Sequence, residues 1–176
     1  MIHFLTPYYK GDLGKAYNIA AELIPSNDWV CFIDADVMVL NSNFGDILQE
    51  CIDKFGRQYP LMTCLTNRVA EPSQRLAGHL NENPSALYHK KMADKVAMNP
   101  PSVKEAPRPI SGMLMLFPKW LWADLGGFKS GILGVDNDFH HKVVSSGRKV
   151  GVIQNLYVFH YYRLHKAVND VTHLNV

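Results

Sequence analysis

Trp29-Val30-Cys31-Phe32-Ile33-Asp34-Ala35-Asp36-Val37-Met38-Val39-Leu40 decides how the rest of the chain is read. Apart from its two aspartates the stretch is apolar and rich in β-branched residues, which predicts a buried strand. Side chains at i and i+2 of a regular strand share a face, so Asp34 and Asp36 are expected side by side. Two carboxylates so close repel each other unless a cation sits between or beside them. Burying them without one is costly. A divalent-metal site with hard oxygen ligands, suited to Mg²⁺ or Mn²⁺, answers both problems. The plainer alternative is that the two acids open a solvated loop at the strand end.

Working outward, Ile2–Pro7 is a short apolar run ended by proline and reads as a buried strand. Lys15–Ile24 places Ala16, Ile19, Ala20 and Leu23 at helical spacing, and Pro25-Ser26-Asn27 stops that helix. Asn41–Phe55 predicts a second helix and Tyr59–Leu65 another strand. Arg68 to Pro109 is polar and rich in Pro and Asn. It reads as an excursion from the sheet, with a helix over Pro84–Ala97. Ile110–Phe117 returns to strand character. Pro118–Leu125 is a short helix with proline in its first turn and Gly126-Gly127 after it. Val135–Ser145 is helical, and Val150–Tyr162 supplies one or two closing strands. Strands alternating with helices predict one α/β domain over 1–176, a mostly parallel central sheet flanked by helices.

Composition bounds the function. The chain has 176 residues and 47% hydrophobic content, enough for a real core. With 18 Lys+Arg against 16 Asp+Glu, its net charge of +2 argues against a nucleic-acid-coating protein. Cys31, Cys51 and Cys64 form no C-x-x-C pair and are odd in number, so a reducing, cytoplasmic setting is expected. The first residues lack the basic-then-apolar order of a signal peptide. No apolar run approaches a membrane span. Peripheral membrane association stays open.

Two further segments carry candidate chemistry. Gly134-Val135-Asp136-Asn137-Asp138 puts acids at a predicted helix start, where the dipole favours them and Asp136 could serve merely as an N-cap. Val158-Phe159-His160-Tyr161-Tyr162-Arg163 sets His160 among aromatics, as a ligand or as a packed core histidine. Arg163, His165 and Lys166 form a small basic cluster. Ligands of open α/β sheets bind at the carboxyl ends of strands, and all three segments can be placed there.

The collinear order resembles a GT-A-fold glycosyltransferase, close to the family 2 type. The order is Thr6-Pro7-Tyr8 after a strand, Asn18 in a helix, Asp34-Ala35-Asp36, Ser111-Gly112, Gly126-Gly127-Phe128, Gly134-x-Asp136-x-Asp138 and a late His160. It spans nearly the whole chain except Arg68–Pro109, which on this resemblance would lie on the acceptor side. The resemblance implies a sugar moved from a nucleotide-diphosphate donor, a UDP-sugar favoured, to a hydroxyl of a glycan or other acceptor, with inversion. It implies Mn²⁺ or Mg²⁺ held by Asp34, Asp36 and His160, and Asp136 as general base. Asp138 matches a nearby acid of the same motif. Thr6, Pro7 and Tyr8 match the edge of the nucleotide pocket, and Ser111 and Gly112 the stretch against the donor sugar. Asn18, Asn67, Arg68 and Arg163 complete the expected substrate-binding set.

The chain departs from the family pattern in three places. It passes from Tyr8 to the helix of Asn18 without the strand–helix unit that usually supplies a base-reading aspartate, so the nucleotide-binding half is expected to be short. Tyr17 stands where the family often has Arg, and Val135 where Glu commonly precedes the base. Two other readings are open. The domain could bind a nucleotide sugar or glycan without transferring it. Or Phe32-Ile33-Asp34-Ala35-Asp36 could be the nucleophile strand of a haloacid-dehalogenase-like phosphatase, with Asp34 attacking phosphorus.

Overall fold

The computed structural model describes residues 1–161 and Leu164. Its strands are β1 (Ile2–Leu5), β2 (Trp29–Ile33), β3 (Val37–Met38), β4 (Leu61–Thr66), β5 (Val103–Glu105), β6 (Leu114–Pro118) and β7 (Val150–His160). The helices are α1 (Leu13–Glu22), α2 (Phe44–Phe55), α3 (Ala86–Ala97), α4 (Lys119–Asp124) and α5 (Val135–Ser145). The strands form one seven-stranded sheet ordered β1-β2-β6-β4-β7, with β3 and β5 both pairing β7.

The architecture is α/β, but the sheet is mixed, not mostly parallel. β1–β2 and β4–β7 pair parallel, whereas β6 runs antiparallel to both β2 and β4 in the middle of the sheet. All five residues of β6 are buried. Such a run, covered on both faces, shows no periodicity from which its direction could be read.

Alternation along the strands splits the core into two layers. Val30, Phe32, Met115 and Phe117 face one cluster, built with α1, α3, α4 and α5. Cys31, Leu114, Leu116, Met62 and Cys64 face the other, closed by Phe44, Ile47, Leu48 and Cys51 of α2. The three cysteines are buried and unbridged. Burial pushes the thiols of Cys31 and Cys64 well above their ordinary range, so they behave as small core hydrophobes. Among the described residues no helix is long and apolar enough to cross a membrane.

Two more expectations change. Trp29–Leu40 is not one strand. The chain turns at Asp34, whose carbonyl accepts the Val37 N–H at 3.1 Å, and β3 then pairs antiparallel with the end of β7. The excursion also returns to the sheet, because β5 lies along the first half of β7. β7 itself shifts register between Cys64 and Leu65 of its neighbour. It therefore presents one half to β5 and the other to β3.

Candidate metal centre and cleft

β1, β2, β4 and β7 share one direction, so their carboxyl ends lie along one sheet edge. β6 starts at that edge because it runs the other way. Asp34 follows β2, Asn67 and Arg68 follow β4, His160 ends β7, and Ser111-Gly112 lead into β6. A cleft of about 790 Å³ opens here. Its wall includes Asp34, Arg68, Ser111, Gly112, Asp136 and His160.

Asp34, Asp36 and His160 each offer a ligand atom within 4.8 Å of the other two. A turn, not strand pleating, brings the carboxylates together. Asp36 is fixed from β7 as well, since its carbonyl accepts the Tyr161 N–H at 2.9 Å. His160 is buried and held twice. Its N–H donates to Asn67 Oδ1 at 2.7 Å, and its ring Nδ1 lies 2.9 Å from the Arg68 carbonyl oxygen. A carbonyl only accepts, so Nδ1 carries a proton and the ring is turned to direct Nε2 toward the acids. That Nε2 faces Asp36 Oδ1 at 3.4 Å. A proton on Nε2 or a cation bound between the two groups would satisfy that contact. A backbone carbonyl orienting a histidine's second nitrogen is the usual outer support of a metal ligand.

The electrostatics separate the acids. Burial pushes Asp34 up to about 6; Asp36 and Asp136 add to the shift, while His160 and the Tyr17 hydroxyl oppose it. Tyr17 donates to Asp34 Oδ1 at 3.4 Å from beneath the site. Burial also works against the Asp36 carboxylate, but the hydrogen bond and charge of His160 outweigh it and hold Asp36 below the usual range.

Asp136 stands in the first turn of α5, on the same cleft as Asp34. Its Oδ2 accepts the Gly112 N–H at 2.7 Å and its Oδ1 the Asn137 N–H at 2.9 Å. Gly112 permits this contact, since a Cβ there would lie 2.8 Å from Asp136 Cβ. Burial raises the Asp136 carboxyl, partly offset by those backbone bonds and by Lys129.

Other expected site residues fall elsewhere. Asn18 is scaffold: it donates to Phe128 O at 2.9 Å and accepts from Trp122 Nε1 at 2.9 Å and Phe128 N at 2.8 Å. Three good bonds to the protein leave it little capacity for a ligand. Asn67 acts through His160 and does not line the cleft. Asp138 pairs with Lys142 at 3.3 Å, one helical turn on, and is also off the cleft. Thr6, Pro7 and Tyr8 follow β1 on the same sheet edge but outside the cleft wall. Arg68 is fully buried in the wall and ion-paired to Glu82. Arg163 lies outside the described residues.

Sequence reading missed Gln74. It is fully buried, donates to Thr63 Oγ1 and to the Ser111 carbonyl, and accepts the Ser111 N–H at 2.7 Å. It thereby fixes the backbone that leads into Gly112. No local pattern marks it. The inward place of Tyr17 was missed as well: the stripe expected on α1 runs through Ile19 and Leu23, which are exposed, whereas Tyr17 and Ala21 are buried. No family model matches the chain, and no curated protein matches it.

Proposed function

We propose that the chain is a metal-dependent, inverting glycosyltransferase with a GT-A-like domain. On this reading it takes a nucleotide-diphosphate sugar, a UDP-sugar favoured, and a hydroxyl acceptor. The observation that carries the proposal is the pairing of the Asp34–Asp36–His160 donor set with the separately oriented Asp136 carboxylate beside one cleft.

The donor set fits a divalent ion. Two carboxylate oxygens and one imidazole nitrogen, the ring already oriented through Nδ1, suit Mn²⁺ and are compatible with Mg²⁺. When bound by Asp34, Asp36 and His160, such an ion would supply positive charge to the diphosphate. The chain's own residues do the rest. Ser111 and Gly112, pinned by Gln74 and Asp136, form a rigid wall for the sugar. Arg68, ion-paired to Glu82, packs into the same wall. Asp136 keeps its carboxylate fixed by two backbone N–H groups, and its raised proton affinity suits a base. The acceptor oxygen bonds to the anomeric carbon and its proton passes to Asp136. The bond from that carbon to the diphosphate oxygen breaks, and its electron pair leaves with the nucleotide. One displacement inverts the anomeric centre.

The test is a donor screen over UDP-, GDP- and other nucleotide sugars with Mn²⁺ or Mg²⁺, comparing wild type with Asp136→Asn. Transfer is expected from one donor class, with kcat reduced at least about 100-fold in the variant. Equal turnover by both proteins removes Asp136 as base. Donor binding without turnover by the wild type leaves a binding module instead. Phosphate release with a covalent adduct at Asp34 indicates the phosphatase chemistry.

A further inference from the structure

Two loops laced together border the outer part of the cleft. Asp12 caps α1 by accepting the Lys15 N–H at 2.8 Å, and the same carboxylate accepts the Gly131 N–H at 2.9 Å and the Ser130 hydroxyl. The Gly14 N–H donates to the Gly131 carbonyl at 3.1 Å. A Cβ on Gly14 would overlap the Lys129 carbonyl oxygen, so the approach needs glycine. The segment 129–134 is therefore fixed against 9–15.

Fixed there, Ile132 and Leu133 line the cleft's outer wall yet remain 39% and 57% exposed. On the facing loop Tyr8 is 85% exposed and Tyr9 42%. Lys15 Nζ donates to the Tyr9 hydroxyl at 2.8 Å and lies 4.1 Å from that ring's centroid. Lys10, Lys15 and Lys129 are exposed around these residues. The only acid of the two segments is Asp12, whose carboxylate is committed to the lacing. Elsewhere, exposed apolar residues such as Leu23 and Met98 stand singly at helix ends and mean little.

Aliphatic side chains, tyrosines and lysines on one rigid rim match a bilayer interface. Aliphatics enter the acyl boundary, tyrosines sit at headgroup depth and lysines meet anionic lipid. We propose that this rim docks on an anionic lipid bilayer, so that the cleft opens at the membrane surface. The proposal does not depend on the transfer reaction, and its test uses neither donor nor metal.

The full chain is floated with phosphatidylcholine vesicles and with phosphatidylcholine–phosphatidylserine vesicles. Wild type is expected to float with the anionic vesicles and far less with the neutral ones. Leu133→Asp should weaken partitioning roughly tenfold, because it puts a charge where an exposed aliphatic would enter the acyl boundary. Lys10→Glu with Lys15→Glu should weaken it on the order of tenfold on anionic vesicles alone. Circular dichroism of each variant should match wild type, since these side chains are exposed. Wild type that floats with neither vesicle overturns the proposal, as do variants that float like wild type. A concentration-dependent dimer broken by Leu133→Asp, without vesicle binding, also overturns it and assigns the rim to a second copy.

Discussion

At the scale of single residues, the state of Asp34 matters most. Its burial raises the carboxyl to about 6, so in the metal-free protein the site protects a proton that the unfolded chain releases near 4. Across that window the native state binds more protons than the unfolded one. Metal-free stability therefore falls as pH rises from about 4 to 6 and stays lower above it. Asp34→Asn removes the buried charge while keeping an acceptor for Tyr17. The variant is expected to be more stable than wild type at pH 7 without metal, by on the order of 1–3 kcal/mol, with the gap closing near pH 4. Thermal unfolding at both pH values in chelator checks this. A variant less stable at pH 7 contradicts the assignment of burial as the dominant cause.

At the scale of elements, His89 fastens α3 to the sheet alongside the buried Ala93 and Val96. His89 is fully buried and stacks on Phe159 with ring centroids 4.0 Å apart. Its Nε2 lies 2.7 Å from the Asn83 carbonyl, so that nitrogen donates and Nδ1 accepts the Tyr157 hydroxyl at 2.7 Å. Both roles need the neutral ring, and burial lowers the ring's proton affinity. The unfolded chain takes up this proton near pH 6.5, before the native one does. The stability His89 contributes is therefore complete above that pH and is lost as pH falls through its depressed native value. His89→Phe keeps the stack and removes both hydrogen bonds. It should cost about 1–3 kcal/mol at pH 7, with a smaller further loss at pH 5 than wild type shows. Parallel melting-temperature profiles for the two proteins would contradict the tautomer and its role.

At the scale of the whole molecule, one sheet edge collects chemistry from four strands and a helix start. Because β6 is reversed, Ser111-Gly112 enter at the edge where β2, β4 and β7 end. Most of this was legible in sequence. The strand–helix alternation, the 135–145 helix and the candidate Asp34, Asp36, Asp136 and His160 all follow from local pattern. The direction of β6 was not, because a strand buried on both faces has no periodic signature. The break after Ile33 was hidden too, since Val37–Leu40 is as apolar as the strand before the aspartates. Asn18 looked like a ligand-binding residue and proved to be scaffold. Its partners Trp122 and Phe128 lie more than a hundred residues away, and only the fold brings them close. Gln74 was invisible for the same reason.

Asp34, Asp36 and His160 are proposed to hold a divalent ion that serves a nucleotide diphosphate. The most direct test is a titration of the full chain with Mn²⁺ in the presence of UDP, followed by calorimetry or by the loss of the free-ion magnetic resonance signal. Wild type should bind one ion per chain, and Asp36→Ala should weaken that binding by roughly 10–100-fold or more. Equal Mn²⁺ affinity in the two proteins, or no binding by wild type, would remove these three residues as the metal site.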